Sequence, residues 1–143
     1  MSPTMRGSDP YARRNIVVYI SGPYSGEDEL EVRKNIERAD FAAQEVWKQG
    51  FTAICPHLNT ALFGSREGPL KRANLTHSDY LAGDLSIVSR CDAVLTVGNY
   101  EESKGAKMEV AHALINGIPV FNNLNDLISW SSQVYYYYNK KRA

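Results

Sequence analysis

Asp92-Ala93-Val94-Leu95-Thr96-Val97-Gly98, followed at Ser103-Lys104-Gly105-Ala106-Lys107-Met108-Glu109 by a helical pattern that runs to Asn116-Gly117-Ile118-Pro119, is the stretch on which the fold turns. A short apolar run closed by glycine reads as a strand buried on both faces. The segment after it reads as the first turns of a helix. Unpaired N–H groups and a partial positive charge gather at such a helix start. A Glu placed there can be held ionised and aimed at a ligand above the strand ends, which makes Glu109 a candidate catalytic carboxylate. It can equally be an exposed acidic residue that suits a helix N-terminus.

Working outward, the same unit recurs. Asn15-Ile16-Val17-Val18-Tyr19-Ile20-Ser21 is an apolar, β-branched run that stops at the turn Gly22-Pro23-Tyr24-Ser25-Gly26. From Asp28 to Gln49 the pattern is helical, with Leu30, Ile36, Ala39, Phe41, Ala43, Val46 and Trp47 expected on one apolar stripe and Gly50 as the C-terminal stop. Phe51 to Cys55 is a second strand, stopped by Pro56. Asn74 to Arg90 is helical, with Leu81, Leu85, Ile87 and Val88 as its buried side. Lys104 to Asn116 is a helix, Ile118 to Phe121 a strand, and 125–137 a last helix, which holds the tract Tyr135 to Tyr138.

Alternating strands and helices with long crossovers give a single-domain α/β fold: a flavodoxin-like or Rossmann-like three-layer sandwich around a parallel sheet. The order 2-1-3-4 is the simplest arrangement. It sets strand 1 beside strand 3 with their helices on opposite faces, so a crevice opens at the carboxyl ends of those two strands. The loops Gly22–Gly26 and Gly98–Gly105 meet there. The domain is expected to run over 15–143, after a poorly ordered lead at 1–14. The irregular stretch from His57 to Ala73 is expected to be a lid or a substrate-facing excursion.

Composition narrows the function. Sixteen basic residues balance sixteen acidic ones, so bulk charge favours neither a nucleic-acid polymer nor an anionic membrane. No apolar run approaches the ~20 residues of a membrane span. The first fourteen residues carry Arg6, Arg13 and Arg14 but no apolar core, which argues against a signal peptide. The two cysteines, Cys55 and Cys91, have no second Cys or His at metal-ligand spacing and read as buried thiols in a reducing, cytoplasmic compartment. His57 and His77 lack a third ligand at recognisable spacing, so no metal site is expected.

Among the candidates, the Gly22–Gly26 loop either cradles a phosphate with its N–H groups and the Ser25 hydroxyl or is a plain tight turn. It has neither the Lys-Ser/Thr of a P-loop nor the dinucleotide spacing. Ser103 either caps its helix or binds a ligand, since both uses draw on the same donors. Asp84 lies beside an apolar stripe, where a carboxylate faces solvent or has a task.

At these positions the chain resembles the nucleoside 2-deoxyribosyltransferase-like superfamily, most of all its small uncharacterised members and also the nucleoside 5′-monophosphate N-glycosidases. The matching pieces are Tyr19 to Gly26, Asp84, Cys91-Asp92-Ala93-Val94-Leu95, Ser103 to Glu109, and Gly117-Ile118-Pro119-Val120. The resemblance implies an enzyme that cleaves the N-glycosidic bond of a nucleoside or its 5′-monophosphate, by hydrolysis or deoxyribosyl transfer, without cofactor. It implies that Glu109 acts at C1′, that Asp84 positions or protonates, and that Tyr19 holds Glu109. Ser21, Gly22, Pro23, Tyr24, Ser25, Gly26, Ser103 and Gly105 would bind substrate, with Ser103 and the Gly22 loop on a 5′-phosphate. Asn122 or Asn123 would complete the site of a neighbouring copy in a homodimer or larger homo-oligomer. The alternative on the same fold is a non-catalytic nucleotide-binding or sensor module. A further rival is an interaction protein that uses its Tyr-rich tail. In the Gly22 loop, Pro23 and Ser25 stand where the monophosphate hydrolases carry a Ser and an Arg.

Overall fold

The computed structural model describes the backbone of residues 13–60, 63 and 74–142, and side chains as far as 134. Within them β1 (Val17–Ser21), β2 (Thr52–Ile54), β3 (Ala93–Thr96) and β4 (Val120–Phe121) form one parallel sheet in the order β2-β1-β3-β4. The helices are α1 (Glu29–Lys48), the short α2 (Pro56–Asn59), α3 (His77–Val88), α4 (Lys104–Ile115) and α5 (Leu124–Arg142). The order and the alternation are those expected from the sequence. Strand β4 starts later than expected, and α5 runs beyond 137.

The pleat sorts the core into two layers. Val18 and Ile20 of β1 face one way and pack with Ala39, Ala43 and Val46 of α1 and Leu127 of α5. Tyr19 faces the other way, with Val94 of β3, Val88 of α3 and Ala113 of α4. Alternate residues of a strand point to opposite faces, so Ser21 falls on the same side as Tyr19, toward α4. The lower end of the sheet is closed by Asp92, whose carboxylate accepts from the Val17 N–H at 2.8 Å.

Helix α1 corrects the expected stripe. At about 3.6 residues per turn, Ala39, Ala43 and Val46 line up with Asn35 against the sheet. Leu30 and Phe41 then fall on the far side, where they are 59% and 68% exposed. Trp47, also assigned to the stripe, is 44% exposed and lies under the Arg14 guanidinium, 5.1 Å from its ring centre. On α3 only Val88 is fully buried, while Leu81, Leu85 and Ile87 are half-buried.

Residues 1–12 of the expected lead lie outside the described residues. Arg13–Asn15 form a turn of 3-10 helix clasped onto the end of α1. Arg13 donates to the Gln49 carbonyl at 3.1 Å, and Arg14 donates to the carbonyls of Trp47 and Phe51. Of the excursion from His57 to Ala73, Pro56–Asn59 is α2; residues 61–62 and 64–73, and with them the expected lid, lie outside the described residues. The side chains of the Tyr135–Tyr138 tract also lie outside them. Both cysteines are free, and Cys91 is buried with its thiol donating to the Ile87 carbonyl. No helix among the described residues is long and apolar enough to cross a membrane.

Candidate active site

Glu109 stands in the second turn of α4 on the side that faces the sheet and is 7% exposed. The strand parity noted above brings two hydroxyls to it. Tyr19 donates to Oε2 at 2.9 Å, and Ser21 donates to Oε1 at 2.7 Å. Each carboxylate oxygen is therefore pinned from β1. Burial raises the Glu109 carboxyl from its ordinary value to about 7, against the lowering effect of the two hydroxyl bonds, and the charge of Asp84 adds to the rise. A helix start can hold a Glu ionised, but here desolvation outweighs the favourable groups and leaves Glu109 poised near neutrality. Burial and the adjoining carboxylate also push the Tyr19 hydroxyl far above its ordinary range, so it stays protonated and serves as a donor.

Asp84, on α3, opens onto the same cavity and is raised to about 6, again mainly by burial. The cavity measures about 960 Å³ and sits over the carboxyl ends of β1 and β3, where an open α/β sheet of this order binds ligands. Gly22, Pro23, Tyr24 and Ser25 line it from the first loop, and Ser103 and Gly105 from the second. The two strand ends approach closely at Gly22, where a Cβ would stand 2.5 Å from Val97 Cγ2 and 2.6 Å from the Val97 carbonyl oxygen. Ser103 caps α4 by accepting from the Ala106 N–H at 3.2 Å, and it lines the cavity as well. Its two readings coexist.

Two expected contacts, Ser21 and Gly26, do not reach the cavity directly, and the two residues expected to serve a neighbouring copy, Asn122 and Asn123, are bonded within their own chain. Ser21 is fully buried and committed to Glu109, so it reaches a ligand only through that carboxylate. Gly26 does not line the cavity; a Cβ there would meet the Glu31 side chain at 2.7 Å. Asn122 and Asn123 also lie outside the cavity of their own chain. Asn122 accepts from Thr96 at 2.7 Å, and Asn123 accepts from the Asp126 N–H at 2.9 Å in the first turn of α5.

Sequence reasoning passed over Lys34, Asn35 and Arg38, and weighed His57 itself only as a metal ligand; all four line the cavity. Asn35 is 7% exposed and donates to the carbonyls of Tyr24 and Ser25, fixing the first loop. Its signal was a polar residue in line with Ala39 and Ala43. His57 donates from Nε2 to the Pro23 carbonyl at 2.9 Å and meets the Tyr24 ring edge-on at 5.3 Å. Burial lowers its pKa, so it is a neutral strut under the loop. Among the described residues no three His, Cys, Asp or Glu side chains cluster in a way that could hold a metal ion.

The architecture defines a three-layer α/β protein with a carboxylate pair at the switch point of its sheet. A structure of the 2-deoxyribosyltransferase from the psychrotolerant bacterium Bacillus psychrosaccharolyticus, characterised as a biocatalyst for nucleoside synthesis, has the same fold. It matches with a TM-score of 0.50 and 19% identity over 76% of this chain and 75% of that one. Residues 16–122 match the family described as Domain of unknown function (DUF4406), and the chain belongs to that family. No curated protein matches it.

Proposed function

We propose that the chain cleaves the N-glycosidic bond of a nucleoside or nucleoside 5′-monophosphate, passing the sugar to water or to a second base. The observation that carries this reading is Glu109: a buried carboxylate pinned by Tyr19 and Ser21 and facing, with Asp84, a cavity large enough to admit a nucleoside. The deoxyribosyltransferase likeness in fold supports the substrate class.

The chemistry follows from charge. As the bond from C1′ to the base nitrogen breaks, its electron pair leaves with the base and positive charge develops at C1′. Ionised Glu109 stabilises that charge, either by bonding to C1′ or by taking a proton from the attacking water. Neutral Asp84 gives a proton to the departing base. Tyr19 and Ser21 hold the carboxylate in place while charge develops. The same reading has Asn122 or Asn123 serve the cavity of a second copy, since neither lines its own.

Catalysis then needs Glu109 ionised and Asp84 protonated. Glu109, at about 7, holds its proton more tightly than Asp84, at about 6, so the required state is the minority arrangement of the pair. Ionisation of Glu109 gives the rising limb and ionisation of Asp84 the falling limb. The pH profile of kcat/KM is expected to be bell-shaped with its maximum between them, both limbs belonging to the pair. The test is chromatography of free base released from a panel of nucleosides and monophosphates. Glu109→Gln is expected to lose roughly 10³-fold or more, and Asp84→Asn to lose the falling limb. Equal background from wild type and Glu109→Gln, with ligand still bound, would leave a binding module instead.

A further inference from the structure

Both helical layers bring charge to the cavity, the acidic pair from one and two cations from the other, with Lys104 of α4 and Glu31 of α1 as the exceptions. Asp84 and Glu109 come from α3 and α4 on one face of the sheet, whereas Lys34 and Arg38 come from α1 on the other. Along α1, Lys34, Asn35 and Arg38 follow the spacing of one helix face. Asn35 is the buried anchor of the first loop, so the cations flanking it are carried to the cavity on a fixed support. Arg38 is seated more closely still. Its guanidinium lies against Gly98, where a Cβ would stand 2.5 Å from Nη1, and Gly98 has a φ of +63°. A side chain at 98 would displace the guanidinium from the gap between the two loops. Glu31 and Glu102 also line the cavity. The Glu31 carboxylate is turned to the Glu27 N–H, from which it accepts at 3.1 Å.

We propose that Arg38, with Lys34, is the anion-holding end of this cavity and makes the substrate a nucleoside 5′-monophosphate rather than a nucleoside. This rests on the N-glycosidic reading above and moves the main phosphate contact from the loop after β1 to helix α1. A guanidinium presents paired N–H donors that match phosphate oxygens, and a lysine adds a point charge beside it. A dianionic phosphate at this end places the sugar between the cations and the carboxylates. It also stays clear of Asp84 and Glu109, which would repel it.

Two measurements test the proposal. The first is kcat/KM on matched nucleosides and 5′-monophosphates for wild type, Arg38→Ala, Arg38→Lys and Lys34→Ala. Wild type is expected to favour the monophosphate at least tenfold. Arg38→Ala is expected to lose on the order of 100-fold on the monophosphate and less than threefold on the nucleoside, with Arg38→Lys between. Wild-type preference for the nucleoside, or equal loss on both substrates, overturns it. The second is calorimetric binding of ribose 5-phosphate and of ribose, which needs no turnover. Ribose 5-phosphate binding that weakens at least tenfold in Arg38→Ala and weakens with added salt supports the anion site, even if no base is ever released. Binding that is absent in wild type, or unchanged in Arg38→Ala, overturns it.

Discussion

Glu109 costs the fold something to keep, and the cost has a sign. Its carboxyl is raised from 4.5 to about 7 in the folded chain, so between those values the folded state holds a proton that the unfolded state has released. Stability from this group is therefore full below about 4.5 and is lost as pH rises through about 7. Asp84, raised from 3.8 to about 6, acts in the same sense. Chemical melts from pH 5 to pH 8 are expected to show falling stability. Glu109→Gln is expected to flatten that fall and to be more stable than wild type at pH 8, by about 1–3 kcal/mol. A variant no more stable than wild type at pH 8 would remove the desolvation account. Of the partners of Glu109 only Tyr19 was legible, through the family resemblance; Ser21 joins it because a period of two puts both on one strand face. The strength of the burial was not, since it depends on how closely α4 packs on β1 and β3. For the same reason Ser21 looked like a substrate contact.

Elements set the shape of the cavity through close approaches. The carbonyl of Val97 that crowds Gly22 belongs to a residue whose N–H is bonded to the Ser21 carbonyl at 2.8 Å, so it cannot retreat without spoiling the β1–β3 pairing. Gly22→Ala is expected to cost about 1–3 kcal/mol, read as a lower urea midpoint, and to weaken ligand binding as the two loops part. An unchanged midpoint would show that the strand ends have room to spare. The Gly22 and Gly98 loops were legible as meeting points because glycine marks where backbones must pass close. Helix α1 was misread. Its large apolar residues suggested a broad stripe, yet the sheet is contacted through Asn35, Ala39, Ala43 and Val46. That narrow face leaves room for Lys34 and Arg38 to reach the site. Neither cation stood out in sequence, because spaced charges on a helix are ordinary until the sheet order shows which face meets the cavity.

For the whole molecule, alternation of strand and helix and the right-handed crossover were enough to give the order β2-β1-β3-β4. What they could not give was the attachment of the residues before β1. Arg13 and Arg14 read as part of a loose lead, but they clasp the end of α1 by hydrogen bonds to Gln49, Trp47 and Phe51. A chain beginning at Asn15 is expected to be about 1–2 kcal/mol less stable by denaturant melt than one beginning at Arg13. That clasp also bears on optical work with this protein. The chain has two tryptophans. Trp130 packs on Phe121 at 5.4 Å, while Trp47 is half open to solvent beneath Arg14. Releasing the clasp should shift Trp47 emission to longer wavelength and raise its quenching by iodide while Trp130 holds steady. The native fluorescence thus carries a built-in marker of whether the start of the chain is seated, readable in any titration without a label.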